Sequence, residues 1–189
     1  MITDLYKHLL ERNLFLTGDI DQQLCVAITK EITRINISDL EAEKYITSIG
    51  GTYTPKPINL FIESYGGEVY PTLGLFDVIR SSKAPVHTIA LGSAMSCGLI
   101  LLVAGKERYC TEHSTILVHS IFSGSMGKIE DMAENMIENE RTQKMLDDIV
   151  TSSTIINQDK LNSVRKKKQD WYLTAEEAIK YKVVNGIWK

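Results

Sequence analysis

Apolar positions recur along the chain with spacings that define most of its elements. Asn13–Thr17 predicts a first strand. From about Asp19, the residues Ile20, Leu24, Ala27 or Ile28, Ile32 and Ile35 return every three or four positions, which is one face of a helix. Residues 37–49 either extend that helix or begin another. Gly50-Gly51 and the Pro55-Lys56-Pro57 triplet then interrupt the pattern. Residues 58–62 read as a mostly buried strand, ending in the turn Glu63-Ser64-Tyr65-Gly66-Gly67, where glycine permits positive φ. A helix with Leu73, Phe76 and Ile79 facing inward follows. Residues 85–91 predict the next strand, residues 92–96 a short turn, and an apolar helix runs on to Ala104. Strands are expected near residues 108–110 and over Thr115–Val118.

Strands alternating with helices indicate an α/β unit with parallel strands. Residues 124–127 form a loop that opens a long polar helix over about residues 128–152. Ile129, Met132, Met136, Met145 and Ile149 give that helix a thin apolar stripe, which suits a projection packing on another subunit or a surface helix packing on its own body. One more strand, Trp171–Leu173, and a short helix over residues 175–181 complete the chain, with Thr174 as the helix N-cap.

Composition narrows the classes. Of 189 residues, 43% are apolar and 24% charged, as in an ordinary single globular domain. The 21 basic and 24 acidic residues give a net charge of −3, which removes the electrostatic basis for a nucleic-acid partner. The one basic cluster, Arg165-Lys166-Lys167-Lys168, reads as a solvated loop. Cys25, Cys97 and Cys110 are odd in number and lack a C-x-x-C pair, so a reducing compartment is expected rather than a disulfide framework or a zinc site. The first residues carry no basic start with an apolar run, and the longest apolar stretch is far below the roughly 20 residues a bilayer needs. A cytoplasmic protein without a membrane or nucleic-acid partner is the expectation.

The chemistry concentrates where a buried strand meets small residues, a serine and an apolar helix, in Ala90-Leu91-Gly92-Ser93-Ala94-Met95-Ser96-Cys97-Gly98. Such a junction exposes a hydroxyl beside the free N–H groups of a helix start. Ser96 is therefore a candidate nucleophile, although a serine at that position is also an ordinary N-cap. Ser93 lies further from the helix. Among the histidines, His8, His87 and His113 suit structural or exposed roles. His119 ends an apolar strand, where open α/β sheets place functional groups. Asp170, before Trp171-Tyr172-Leu173, could orient an imidazole or simply cap a turn. Gly66-Gly67 could aim a backbone N–H at an oxyanion. No phosphate-cradling glycine motif and no spaced metal-ligand set is visible, so neither a metal nor an organic cofactor is expected.

In this order the motifs resemble the ClpP family of serine peptidases, over most of the chain. The opening, Leu9-Leu10-Glu11-Arg12-Asn13-Leu14-Phe15-Leu16-Thr17-Gly18, is similar to the family's "LLKERIIFLTG" strand. Residues 63–67 are similar to its "NSPGG" turn, and residues 92–98 to its "GxAASMG" serine turn. Leu117-Val118-His119 is similar to "MIHQP", and residues 170–178 to "DRFLSAxEA". The resemblance implies a ClpP/crotonase-like spiral of βαβ units, with a head over residues 1–122 and 154–189 and a projecting handle over about 123–153. It implies Ser96 as nucleophile, His119 as base and Asp170 as its orienting partner, with the N–H groups of Gly67 and Cys97 as the oxyanion hole. Gly66, Gly124, Ser125 and Met126 would bind the substrate strand. The implied partners are further copies in a heptameric ring, stacked as a double ring, a Clp-type AAA+ unfoldase, and unfolded polypeptides.

The departures from the family pattern are specific. Tyr65 stands at the turn proline, Ser120-Ile121 replaces Gln-Pro, and the connection over residues 36–57 is longer than usual. Only about eight residues precede Leu9, so the family's axial loops and propeptide are expected to be absent, with a wider axial entrance and weaker unfoldase coupling. Two other functions share this fold or its subunits: a crotonase-type acyl-CoA enzyme, and a catalytically weak ring subunit that modulates an active partner. The Ser96, His119 and Asp170 set argues against both.

Overall fold

The computed structural model describes residues 12–120, 128–167 and 170–189. Its centre is a mostly parallel sheet. Strands β1 (Asn13–Thr17), β2 (Ile58–Ser64), β3 (Val86–Met95), β4 (Glu107–Cys110) and β7 (Gly186–Ile187) lie in that order, each parallel to its neighbour. Strand β5 (Thr115–Val118) adds in parallel to the far end of β3, and β6 (Trp171–Leu173) pairs antiparallel with β5. Helices connect the parallel strands, as right-handed crossovers require. The α/β class is as expected from the alternation.

Helix α1 (Gln22–Ser48) begins where the Asp21 carboxylate accepts the Leu24 N–H at 2.7 Å. Cys25, Ile28, Ile32 and Ile35 bury its inner face. Residues 37–48 extend this helix rather than starting another, because neither glycine nor proline falls before Gly50, which takes φ +82°. The extension is pinned from the side. Asp39, 5% exposed, forms an ion pair with Arg12 and accepts the Tyr53 hydroxyl at 2.5 Å. The connection before β2 thus folds back on α1.

Helix α2 (Val69–Ser81) buries Thr72, Leu75 and Ile79. The inward face is therefore rotated from the expected Leu73–Phe76–Ile79 line, with Leu73 and Phe76 half-buried. Helix α3 (Cys97–Ala104) is buried on every side, which accounts for its lack of any polar residue. The short turn expected over residues 92–96 is instead strand: β3 runs ten residues, with Gly92 at φ +55°. A glycine inside a strand marks an irregularity as readily as a turn. Here β3 changes partner across it, pairing with β4 over His87 to Ala90 and with β5 over Ser93 to Met95.

Helix α4 (Ile129–Ser153) divides in two. Residues 128–137 are exposed throughout, with Ile129 at 82%, Met136 at 63% and Ile137 at 68%. The second half packs Leu146, Ile149 and Val150 on the core. At the join, the Glu138 carboxylate accepts the Tyr70 hydroxyl of α2 and is clamped by Arg141 at 2.6 and 2.8 Å. Arg141 first, then Tyr70, holds the Glu138 carboxyl down at about 2.

Helix α5 (Gln158–Lys166) and β7 have no expected counterpart. The first two residues of the basic run do not form a loop: Arg165 and Lys166 lie in the last turn of α5, where cations suit the carbonyl end of the helix. Lys168 lies outside the described residues. Helix α6 (Ala175–Lys180) starts at Thr174 with a full capping box to Glu177. None of the described helices is long and apolar enough to cross a membrane.

Candidate active site

Ser96 is the junction of β3 and α3, and its backbone is held at φ +54°, ψ −118°. L-residues do not adopt that region readily, whereas achiral glycine does, so the position stores about 1–3 kcal/mol of strain. Hydrogen bonds on both sides enforce it. The Ser96 N–H donates to Leu117 O of β5 at 3.1 Å, and its carbonyl accepts Leu99 N–H at 3.0 Å and Ile100 N–H at 3.3 Å in α3. An ordinary N-cap serine would turn its hydroxyl onto those helix N–H groups. Ser96 occupies the N-cap position and makes no such bond. Its side chain is thereby left for another role.

The glycine pair is explained by the same junction. A Cβ on Gly66, at φ +115°, would stand 2.7 Å from Ser96 Cβ and 3.2 Å from Ser96 Oγ. Gly66 acts by leaving room beneath the serine, and it is buried rather than part of the cavity wall. The Ser64 hydroxyl fixes the turn, accepting Gly66 N–H at 3.0 Å and donating to Gly18 O at 2.6 Å. Gly67 forms a parallel bridge with Ile20, in which Ile20 N–H donates to Gly66 O and Glu68 N–H to Ile20 O. Neighbouring residues of an extended chain point their N–H and C=O to opposite sides. Gly67 therefore turns its own pair away from Ile20, and its carbonyl accepts the Cys97 thiol at 3.3 Å. Any Cβ there would fall 2.1 Å from Ile20 O.

Cys97 is the first residue of α3, so its backbone N–H belongs to the unpaired set at a helix start. Its thiol is 2% exposed as a residue, engaged to Gly67 and pushed up by burial, against the pull of hydrogen bonds with Thr72, Gly67 and Ser96. A neutral, buried thiol is a poor nucleophile. Ser96, half-exposed at the cavity, is the better placed of the two.

Gly67, Ser96, Cys97 and His119 all line one cavity of ≈ 310 Å³. His119 directly follows β5. Asp170 directly precedes β6, and the β5–β6 register pairs Val118 with Trp171. His119 and Asp170 are the residues next beyond that last pair, outside the ladder itself. Asp170 itself is exposed, does not line the cavity, and accepts the Tyr172 hydroxyl at 3.5 Å. Among the described residues no hydrogen bond joins Ser96 to His119 or His119 to Asp170. Gly124, Ser125 and Met126 lie outside the described residues.

The other candidates fall away from the cavity. Ser93 sits within β3, opposite Thr115. His87 stacks edge-on to Tyr109, and burial lowers its pKa. His113 is exposed in the turn between β4 and β5. Sequence reasoning missed Gln143, Asp147 and Arg165, which also line the cavity. Gln143 and Asp147 lie on α4 as polar residues of a helix that was expected, and Arg165 lies on α5, whose single buried residue is Leu161. No group of three His, Cys, Asp or Glu side chains among the described residues is arranged to hold a metal ion.

Comparison with known proteins places the chain in one family. The family model described as Clp protease matches residues 1–189. The chain is similar to the ATP-dependent Clp protease proteolytic subunit of Deinococcus radiodurans, with 30% identity over 187 residues covering 97% of this chain and 84% of that protein. It is also similar to the ATP-dependent Clp protease proteolytic subunit 2 of Treponema pallidum, with 28% identity over 183 residues covering 96% and 84%.

If the positive φ at Ser96 is strain held for function, removing the side chain should release it. Ser96→Gly is expected to raise the melting temperature by about 2–4 °C, the shift that about 1 kcal/mol produces in a chain of this size. Ser96→Ala keeps the Cβ and is expected to leave it unchanged. Differential scanning calorimetry of the three proteins checks both. A Ser96→Gly variant no more stable than wild type would contradict the strain.

Proposed function

The chain belongs to the Clp protease family, and on that premise we propose that it is a serine endopeptidase, the proteolytic subunit of a Clp-type assembly that cleaves unfolded polypeptides. The observation that carries this reading is Ser96: a strained backbone, a hydroxyl without a capping bond, and a place beside His119 in one cavity. Ser96 Oγ attacks the scissile carbonyl carbon while His119 takes its proton. The C=O electrons move to oxygen, and the N–H groups of Gly67 and Cys97, with the positive end of α3 behind them, stabilise that charge. Collapse breaks the C–N bond, and His119 returns the proton to the leaving amine. Water then hydrolyses the acyl-serine ester by the same route. Asp170 orients the imidazole, each of the two being the residue next beyond the Val118–Trp171 pair.

Assembly follows from α4. Residues 129–137 expose an apolar line that nothing in the same chain covers among the described residues, which fits pairing of two rings through these helices. An unfoldase contact is supported by a row of aromatic rings on the outer face of the sheet. Phe15, 54% exposed, stacks on Phe61 at 5.0 Å, and Phe61 and Tyr109 both meet Trp188. A second reading, a ring subunit that modulates an active homologue, is favoured by one observation only, the open His119–Asp170 pair. Assembly could close that pair by extending the β5–β6 ladder.

Ser96→Ala is expected to reduce hydrolysis of fluorogenic peptides by at least about a thousandfold, with the far-ultraviolet dichroism retained. Wild-type turnover in the variant would remove Ser96 from the mechanism. No activity in the wild type alone, with activity only in mixed rings, would favour the second reading.

Mass photometry is expected to show seven- or fourteen-subunit particles for the wild type. Ile129→Ser with Ile137→Ser is expected to shift fourteen towards seven. A monomer at micromolar concentration would contradict ring assembly.

A further inference from the structure

The cavity that holds Ser96 and His119 is aliphatic over most of its wall, from Leu99, Ile100, Leu117, Leu146, Val150 and Leu161. One part of it is charged. Asp147 of α4, 6% exposed, and Arg165 of α5 form an ion pair in that wall. The carboxylate is fully engaged: it accepts Gln143 Nε2 at 2.9 Å, Gln158 Nε2 at 2.8 Å and the Arg165 guanidinium. The guanidinium is not. A guanidinium has five N–H donors, and beyond Asp147 it donates among the described residues only to Asn162 Oδ1, at 3.2 Å. Ser120, Gln143, Asp147 and Arg165 line a second cavity as well, so the pair stands between the two.

We propose that Arg165, held in place by Asp147, is a specificity-determining donor on the α4–α5 side of the substrate cavity, selecting side chains with an apolar body and a neutral hydrogen-bond acceptor at the tip. The proposal rests on the peptidase reading above. The residue concerned is the one on the acyl side of the scissile bond, because its Cβ is two bonds from the carbon that Ser96 attacks and must enter the cavity beside it. An aliphatic wall favours the body of a large side chain. Spare donors there favour tyrosine over phenylalanine, and glutamine over leucine, since an apolar tip displaces water from the part-buried N–H groups without offering them an acceptor. Asp147 already balances the charge of Arg165, so a glutamate tip loses hydration without meeting a net positive charge. The pair is unlike a surface ion pair in that Asp147 is buried and makes three bonds, which fixes where the fork points.

The test compares fluorogenic peptides differing only in tyrosine or phenylalanine at that position. Wild type is expected to favour tyrosine by about tenfold in kcat/KM, the scale of one hydrogen bond to a charged donor. Arg165→Met is expected to bring the ratio to near one, and Arg165→Lys to an intermediate value. A wild-type ratio at or below one, or a ratio that Arg165→Met leaves intact, overturns the proposal. The same tyrosine and phenylalanine peptides, bound to the Ser96→Ala protein in a calorimeter, separate the two claims. A tyrosine preference in binding that Arg165→Met abolishes, with no hydrolysis by wild type, refutes the peptidase reading and retains the donor. Equal binding of the two peptides refutes the donor whatever the hydrolysis. Should Arg165→Met fail to fold, the Arg165→Lys variant carries the comparison, and an unaltered ratio there overturns the proposal.

Discussion

Ser96 is held in a conformation its own side chain disfavours, between a hydrogen bond to β5 on one side and two from α3 on the other. Much of the surrounding structure exists to permit or exploit that. Gly66 must lack a Cβ because the serine Cβ occupies its space, and Ser64 must hold the turn that carries it. The strand cannot relax without giving up the Leu117 bond, and α3 cannot relax without exposing its eight buried residues. Burial of α3 thus offsets the strain at its first turn, and the helix start is left facing a cavity rather than solvent. The geometry is that of a nucleophile turn, reached here without a glycine two residues before the serine, where Ala94 stands.

Convergence of the other groups depends on sheet register more than on side-chain contacts. Beyond Gly92, β3 leaves β4 for β5, and that exchange brings Leu117, and hence His119 two residues on, alongside Ser96. β6 returns antiparallel on β5, which brings the two ends of that hairpin-like pair, His119 and Asp170, to the same edge. The bridge of Ile20 to Gly67 likewise fixes the glycine turn beside the cavity. Register is strongly specified wherever one face is buried, so these placements are as secure as the core that fixes them.

The same physics decides what was legible in the sequence. β1, β2 and α3 could be read because their apolar residues are nearly continuous and their burial follows directly. The serine turn was misread in form, because Gly92 and Ser93 have turn composition while tertiary pairing with β5 keeps residues 93–95 extended. The charged side of the cavity was invisible. Helix α5 carries only Leu161 and Val164 among polar residues of loop-like composition, so no periodicity announces it. Asp147 lies on a helix whose apolar stripe was visible, but its partners come from α5, and only the folded chain brings them together. Ser96, His119 and the glycine pair were recognisable by chemistry and order; their roles, and that of Asp170, rest on the proposed mechanism.

The central claim is that the hydroxyl of Ser96, which makes no capping bond, is an activated nucleophile. Its most direct test is a fluorophosphonate applied to the native protein, followed by intact mass and peptide mapping. The account predicts one adduct per chain, on Ser96, lost when the protein is unfolded first and lost in His119→Ala. An adduct on Ser93, or none on the native assembly at reagent concentrations that label other serine hydrolases, would contradict it.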